Sequence, residues 1–81
     1  MASKPLLHVS DWNYEDKYYR VSLDILNEFA KRIKESHQVQ DVWDWFIVQK
    51  GVKRLQRIDP NEDSYFFDWS NPQESMNEWG I

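Results

Sequence analysis

The 81-residue sequence contains no cysteine, two glycines, three prolines and two histidines, and it has no long apolar run. The missing cysteines exclude a disulfide framework, a thiolate zinc site and a cysteine nucleophile, and they fit a reducing compartment. With no Gly/Ser-rich stretch and no internal repeat, a domain boundary has nowhere to sit, so residues 1–81 are expected to form a single small globular domain. No segment approaches the ~20 apolar residues of a membrane span. The opening run Leu6-Leu7-His8-Val9 is too short for a signal-peptide core, and no Asn-x-Ser/Thr acceptor occurs. The expected setting is cytoplasmic, with no membrane contact.

The usual signatures of catalysis are missing as well. There is no Gly-rich phosphate loop, no G-x-S-x-G and no H-E-x-x-H. His8 and His37 each have an acid nearby in sequence, Asp11 and Asp41, but a solvated imidazole explains such pairs more simply than a metal. Asp59-Pro60-Asn61-Glu62-Asp63 begins like a calcium loop and then fails, because Ser64 and Ser70 stand where Gly and a bidentate Glu are required. No catalytic residue, no metal and no cofactor are expected.

What the chain does have is aromatic mass and unevenly placed charge. Thirteen of its residues are Trp, Tyr or Phe, and 41% are hydrophobic, enough to build a core. At this length a domain hides roughly 60–65% of its unfolded surface, so large rings must do much of the stabilising. Residues 1–37 are electrically neutral. Residues 38–58 carry Lys50, Lys53, Arg54 and Arg57 against Asp41 and Asp44, a net +2. Residues 59–81 carry Asp59, Glu62, Asp63, Asp68, Glu74 and Glu78 with no cation, a net -6.

Helical periodicity is strongest over residues 14–35. Tyr14, Tyr18, Val21, Ile25 and Phe29 fall on one stripe and Tyr19, Leu23, Leu26, Ala30 and Ile33 on the adjoining one, which predicts one long amphipathic helix capped by Asn13. Its expected core side chains are Tyr18, Leu23, Leu26, Phe29, Ala30 and Ile33. Asp16/Arg20, Arg20/Asp24 and Glu28/Arg32 stand at i,i+4 and would add ~0.3 kcal/mol each. Val42–Val48 is β-branched and aromatic on both faces and reads as a strand. Lys50-Gly51 then offers a turn, residues 52–58 a second strand, Asp59–Asp63 an Asx-Pro turn, and Tyr65–Trp69 a third strand. The competing reading of the middle is a helix from Val39 to about Lys50 with Gly51 at its C-cap, burying Val42, Trp43, Phe46 and Ile47. Asn71-Pro72 with Glu74 begins a short helix over residues 72–79 that Gly80 ends, with Met76 and Trp79 on one side.

The expected fold class is therefore α+β: a long N-terminal helix packed on a short antiparallel β-meander, plus a short C-terminal helix. Wholly helical three-helix packing is the alternative. The expected function is non-enzymatic binding to a larger protein, as an adaptor or inhibitor. The acidic, aromatic C-terminal region would serve as the surface, with Asp63, Asp68, Trp69, Glu74, Glu78 and Trp79 as contacts and a basic partner surface as their complement. Two other classes compete with it. Lys50, Lys53, Arg54 and Arg57 near Trp43 and Trp45 could track a single-stranded nucleic acid, although a pI near 5.0 opposes it. Alternatively, the aromatic excess could cover an oligomer interface.

Overall fold

A computed structural model describes residues 5–11, 13 and 15–79. The fold is α+β: a four-stranded mixed sheet with three helices on one of its faces. Strands β1 (Leu6–Ser10), β2 (Asp16–Val21), β3 (Val52–Leu55) and β4 (Tyr65–Asp68) lie in the order β3-β2-β1-β4. β1 pairs antiparallel with β2 and parallel with β4, and β2 pairs antiparallel with β3. Helices α1 (Leu23–Glu35) and α2 (Val39–Ile47) connect β2 to β3, while α3 (Pro72–Ser75) runs into a 3-10 turn over Met76–Glu78.

The single long helix is the first correction. Its N-terminal third is β2, and Ser22, with extended dihedrals (φ -67°, ψ 146°), separates the strand from α1. Lys17 to Val21 alternates as well as it spirals: Tyr19 and Val21 face the helices, while Tyr18 and Arg20 face away. Aromatic and β-branched residues favour the pleated form once two neighbouring strands are present to pair with it. Tyr18 consequently leaves the core, and Leu23, in the first turn of α1, is 53% exposed. Leu26, Phe29, Ala30 and Ile33 are buried as the helical pattern requires. Glu28 and Arg32 pair at 3.0 Å. Asp16 and Arg20 take other partners because a strand points them differently. Tyr14, at the head of the predicted stripe, and Gly80, the predicted helix stop, lie outside the described residues.

The antiparallel meander is the second correction. Residues 39–47 form α2, the competing reading, with Val42 and Phe46 buried one helical turn apart. Ile47 is 39% exposed, and Val48, not Gly51, occupies the C-cap. Gly51 serves a different purpose: the Ser22 N–H donates to its carbonyl at 2.9 Å, and a Cβ there would stand 2.5 Å from Ile25 Cδ1. The missing side chain lets the start of β3 close on the start of α1. In place of a hairpin, residues 56–64 carry the chain from β3 across to the far edge, where β4 lies beside β1. Asp59 organises this crossover, its side chain accepting the Asn61 N–H at 2.9 Å and its carbonyl the Glu62 N–H at 3.0 Å.

Asn13 belongs to the β1–β2 turn and caps no helix. Asp11 Oδ1 accepts the N–H groups of Asn13 (2.9 Å) and Glu15 (3.0 Å), and Oδ2 lies 3.2 Å from Lys17 Nζ. These bonds, the Glu15 amide first among them, hold the Asp11 carboxyl below the usual carboxylate range.

Leu7 and Val9 of β1, Tyr19 and Val21 of β2 and Phe67 of β4 meet Leu26, Phe29, Ala30 and Ile33 of α1, Val42 and Phe46 of α2, and Met76 and Trp79 from the end of the chain. Phe29 is the hub, with ring centroids of Phe46 at 4.4 Å, Phe67 at 5.2 Å, Trp43 at 6.1 Å and Trp79 at 6.3 Å. Gln73 binds α3 to α1, its side-chain amide donating to the carbonyls of Ile33 (3.3 Å) and Ser36 (3.5 Å) at the C-terminal end of α1. Among the described residues no helix is long and apolar enough to cross a membrane.

Among the described residues, the far face of the sheet carries no helix. Across it, Arg20 stands beside Lys53 in the ladder, a repulsive pair on its own. Glu62 of the crossover offsets it by pairing with the Arg20 guanidinium through both oxygens, the Nη2–Oε2 contact at 3.1 Å. That bond lowers the Glu62 carboxyl pKa.

Two outcomes follow for stability. Leu26→Ala should cost about 2–5 kcal/mol in urea unfolding, whereas Leu23→Ala, one turn away and exposed, should change little. Glu62→Gln should destabilise the domain at neutral pH. Because the folded pKa is depressed, that contribution is complete above the ordinary carboxylate range and lost as pH falls through the folded value, so wild-type and variant stabilities should converge in acid.

Candidate interaction site

The helix-free face bears a row of rings set by strand register: Phe66 on β4 opposite His8 on β1, His8 opposite Tyr18 on β2, and Tyr18 opposite Leu55 on β3. His8 stacks on Tyr18 with centroids 4.6 Å apart and meets Phe66 edge-on at 5.1 Å. Its Nε2 lies 2.9 Å from Asp16 Oδ1, so the acid beside His8 is Asp16 and not Asp11. Phe66 is 39% exposed, the most open ring of the row. Alternation explains why: Tyr65 and Phe67 face the helices, which leaves Phe66 turned to solvent.

Around Phe66 the fold gathers the four acidic residues expected at a binding surface. Asp63 and Glu78 line a depression of about 320 Å³ with Ser64, Tyr65, Phe66, Ser75 and Trp79. Asp68, Glu74 and Glu78 line a second, of about 300 Å³, with Phe66, Asn71 and Ser75. Phe66, Ser75 and Glu78 are the wall the two share. Among the described residues, no cation lies within salt-bridge distance of Asp63, Asp68, Glu74 or Glu78, while Glu62 has Arg20. Asp68 Oδ1 accepts the Ser70 N–H at 2.9 Å.

The two tryptophans expected as contacts lie elsewhere. Trp79 is 6% exposed and forms the floor, its indole N–H donating to the Phe66 carbonyl at 2.7 Å. Trp69 continues the alternation onto the helical face, half-buried edge-on against Trp43 (5.6 Å) and Phe67 (5.7 Å). The accessible ring at the centre is thus Phe66, which sequence reasoning does not single out as a contact, and its row-mates are read otherwise, His8 as a solvated imidazole and Tyr18 as core. The signal available was the run Tyr65-Phe66-Phe67: consecutive rings in a strand must occupy both faces.

A third depression, about 590 Å³, lies between residues 37–39 and 71–77, and Gln73, which lines it, is already spent on the carbonyls of α1. Among the described residues no three His, Asp or Glu side chains converge as metal ligands, and no polar or charged residue is buried. The arrangement can present rings and anions to another surface. No protein-family model, curated protein or solved structure matches the chain.

The floor and the centre should separate experimentally. Trp79→Ala should lower stability by about 3–5 kcal/mol, and Phe66→Ala by about 1 kcal/mol or less, both read from thermal or urea unfolding.

Proposed function

We propose that the chain is a non-enzymatic protein-binding module that docks on a basic surface of a larger protein, as an adaptor or an inhibitor. The observation that carries this reading is Phe66, an exposed ring on a helix-free sheet face, ringed by Asp63, Asp68, Glu74 and Glu78. A ring entering a partner pocket supplies the kind of buried anchor on which binding energy concentrates. Anions with no cation in salt-bridge reach among the described residues steer the encounter with a cationic partner. Stacking of a single-stranded nucleic acid on the same ring row is disfavoured, because its phosphates would approach Asp68, Glu74 and Glu78.

The test is affinity capture from the native host followed by kinetics on the purified pair. Phe66→Ala should raise Kd about tenfold or more by accelerating dissociation. Glu74→Lys with Glu78→Lys should chiefly slow association, and added salt should slow the wild type similarly. A partner held with unchanged affinity by folded Phe66→Ala protein would remove this face from the interface.

A further inference from the structure

The two edges of the sheet are finished differently. On β4 the Phe66 carbonyl takes the Trp79 indole N–H, the Asp68 N–H is held by Ser75 Oγ at 3.2 Å, and the Asp68 carbonyl accepts the Asn71 N–H at 3.1 Å. The end of the chain thus seals that edge. At β3 only the entrance is closed, by the Val52 N–H donating to the Gln49 carbonyl at 3.1 Å and by the Ser22 N–H on Gly51. From Lys53 to Leu55, among the described residues, the backbone makes no hydrogen bond beyond the ladder with β2. An open edge of this kind is a template for another strand.

We propose that β3 is the docking edge for an extended acidic segment of a partner protein, which adds as a fifth strand beside Val52–Leu55. Lys50, Lys53, Arg54 and Arg57 are all exposed, and among the described residues none lies within salt-bridge distance of a carboxylate. Register fixes what they can recognise. Lys53 opposes Arg20 on the helix-free face, and Arg54 opposes Tyr19 on the helical face, so cations rise on both sides of the same edge. A strand carrying carboxylates at adjacent positions meets one on each side, while its main chain completes the ladder. A second copy of this chain does not fit: β3 against β3 sets Lys53 and Arg54 among their own like charges, and β3 against β4 meets the sealed edge. This surface lies across the sheet from Phe66 and takes the opposite charge, so it stands independently of the docking face proposed above.

The test uses the full chain and a short blocked peptide with two adjacent glutamates set between valines. It should bind by fluorescence anisotropy and slow amide hydrogen exchange over Lys53–Leu55 without affecting β1. The same peptide N-methylated at alternate backbone amides should not bind. Lys53→Glu with Arg54→Glu should weaken binding about tenfold or more, and Lys53→Gln with Arg54→Gln by less, with circular dichroism unchanged in both. Four results overturn the proposal: no binding of the peptide at millimolar concentration; equal binding of the N-methylated peptide, which is ion pairing without strand addition; tighter binding of oligothymidylate than of the peptide, which is a nucleic-acid surface; or protection of β3 that grows with protein concentration alone, which is self-pairing.

Discussion

The ring of Phe29 is the contact on which the remaining packing depends. It projects from the middle of α1 and meets Phe46 of α2, Phe67 of β4 and Trp79 of the C-terminal turn, so one side chain joins elements from the centre and the far end of the chain. Aromatic pairs of this kind contribute about 0.5–1.5 kcal/mol each beyond the area they bury. In a domain too small for a deep aliphatic core, that cluster substitutes for interior volume. It also sets the position of the candidate face. Phe67 and Trp79 pin β4 and the C-terminal turn from beneath, and Phe66 and the surrounding carboxylates ride on those same elements.

How far the fold could be read from the residues follows from how local each signal is. The inner face of α1, the Asx-Pro crossover turn and the start of α3 are written in contiguous spacing, and the structure carries each of them. β2 reads as part of a helix because Tyr18, Tyr19 and Val21 satisfy a 3.6-residue stripe and a two-residue alternation alike, and only pairing with β1 and β3 decides between them. β1 has a Leu7/Val9 alternation too short to stand out. The parallel partnership of β1 with β4 joins segments from the two ends of the chain, and no local pattern encodes it.

The candidate surface divides along the same line. Asp63, Asp68, Glu74 and Glu78 were legible because they are neighbours in sequence as well as in space. The ring at their centre was not, because ring size drew attention to Trp69 and Trp79, and the fold uses both of them against its helices. Sheet order also turns charge blocks in the sequence into a spatial pattern: the net-positive middle segment ends on the β3 edge, and the net-negative final segment covers the β4 edge. The aromatic row lies between them, so the helix-free face has an electrical direction along the line that crosses its strands.

The parallel join of β1 to β4 bears on how the molecule is made. During synthesis β1 can pair with β2 early, yet its other edge stays bare until Tyr65–Asp68 have emerged. A central strand whose second neighbour lies so far along the sequence slows folding, since distant contacts have to form before they are rewarded. In that interval the nascent chain carries an unpaired apolar edge of the kind that invites association with neighbours. Emergence of β4 is therefore what ends that exposure, and translation that stalls short of Tyr65 leaves this side of β1 without its neighbour.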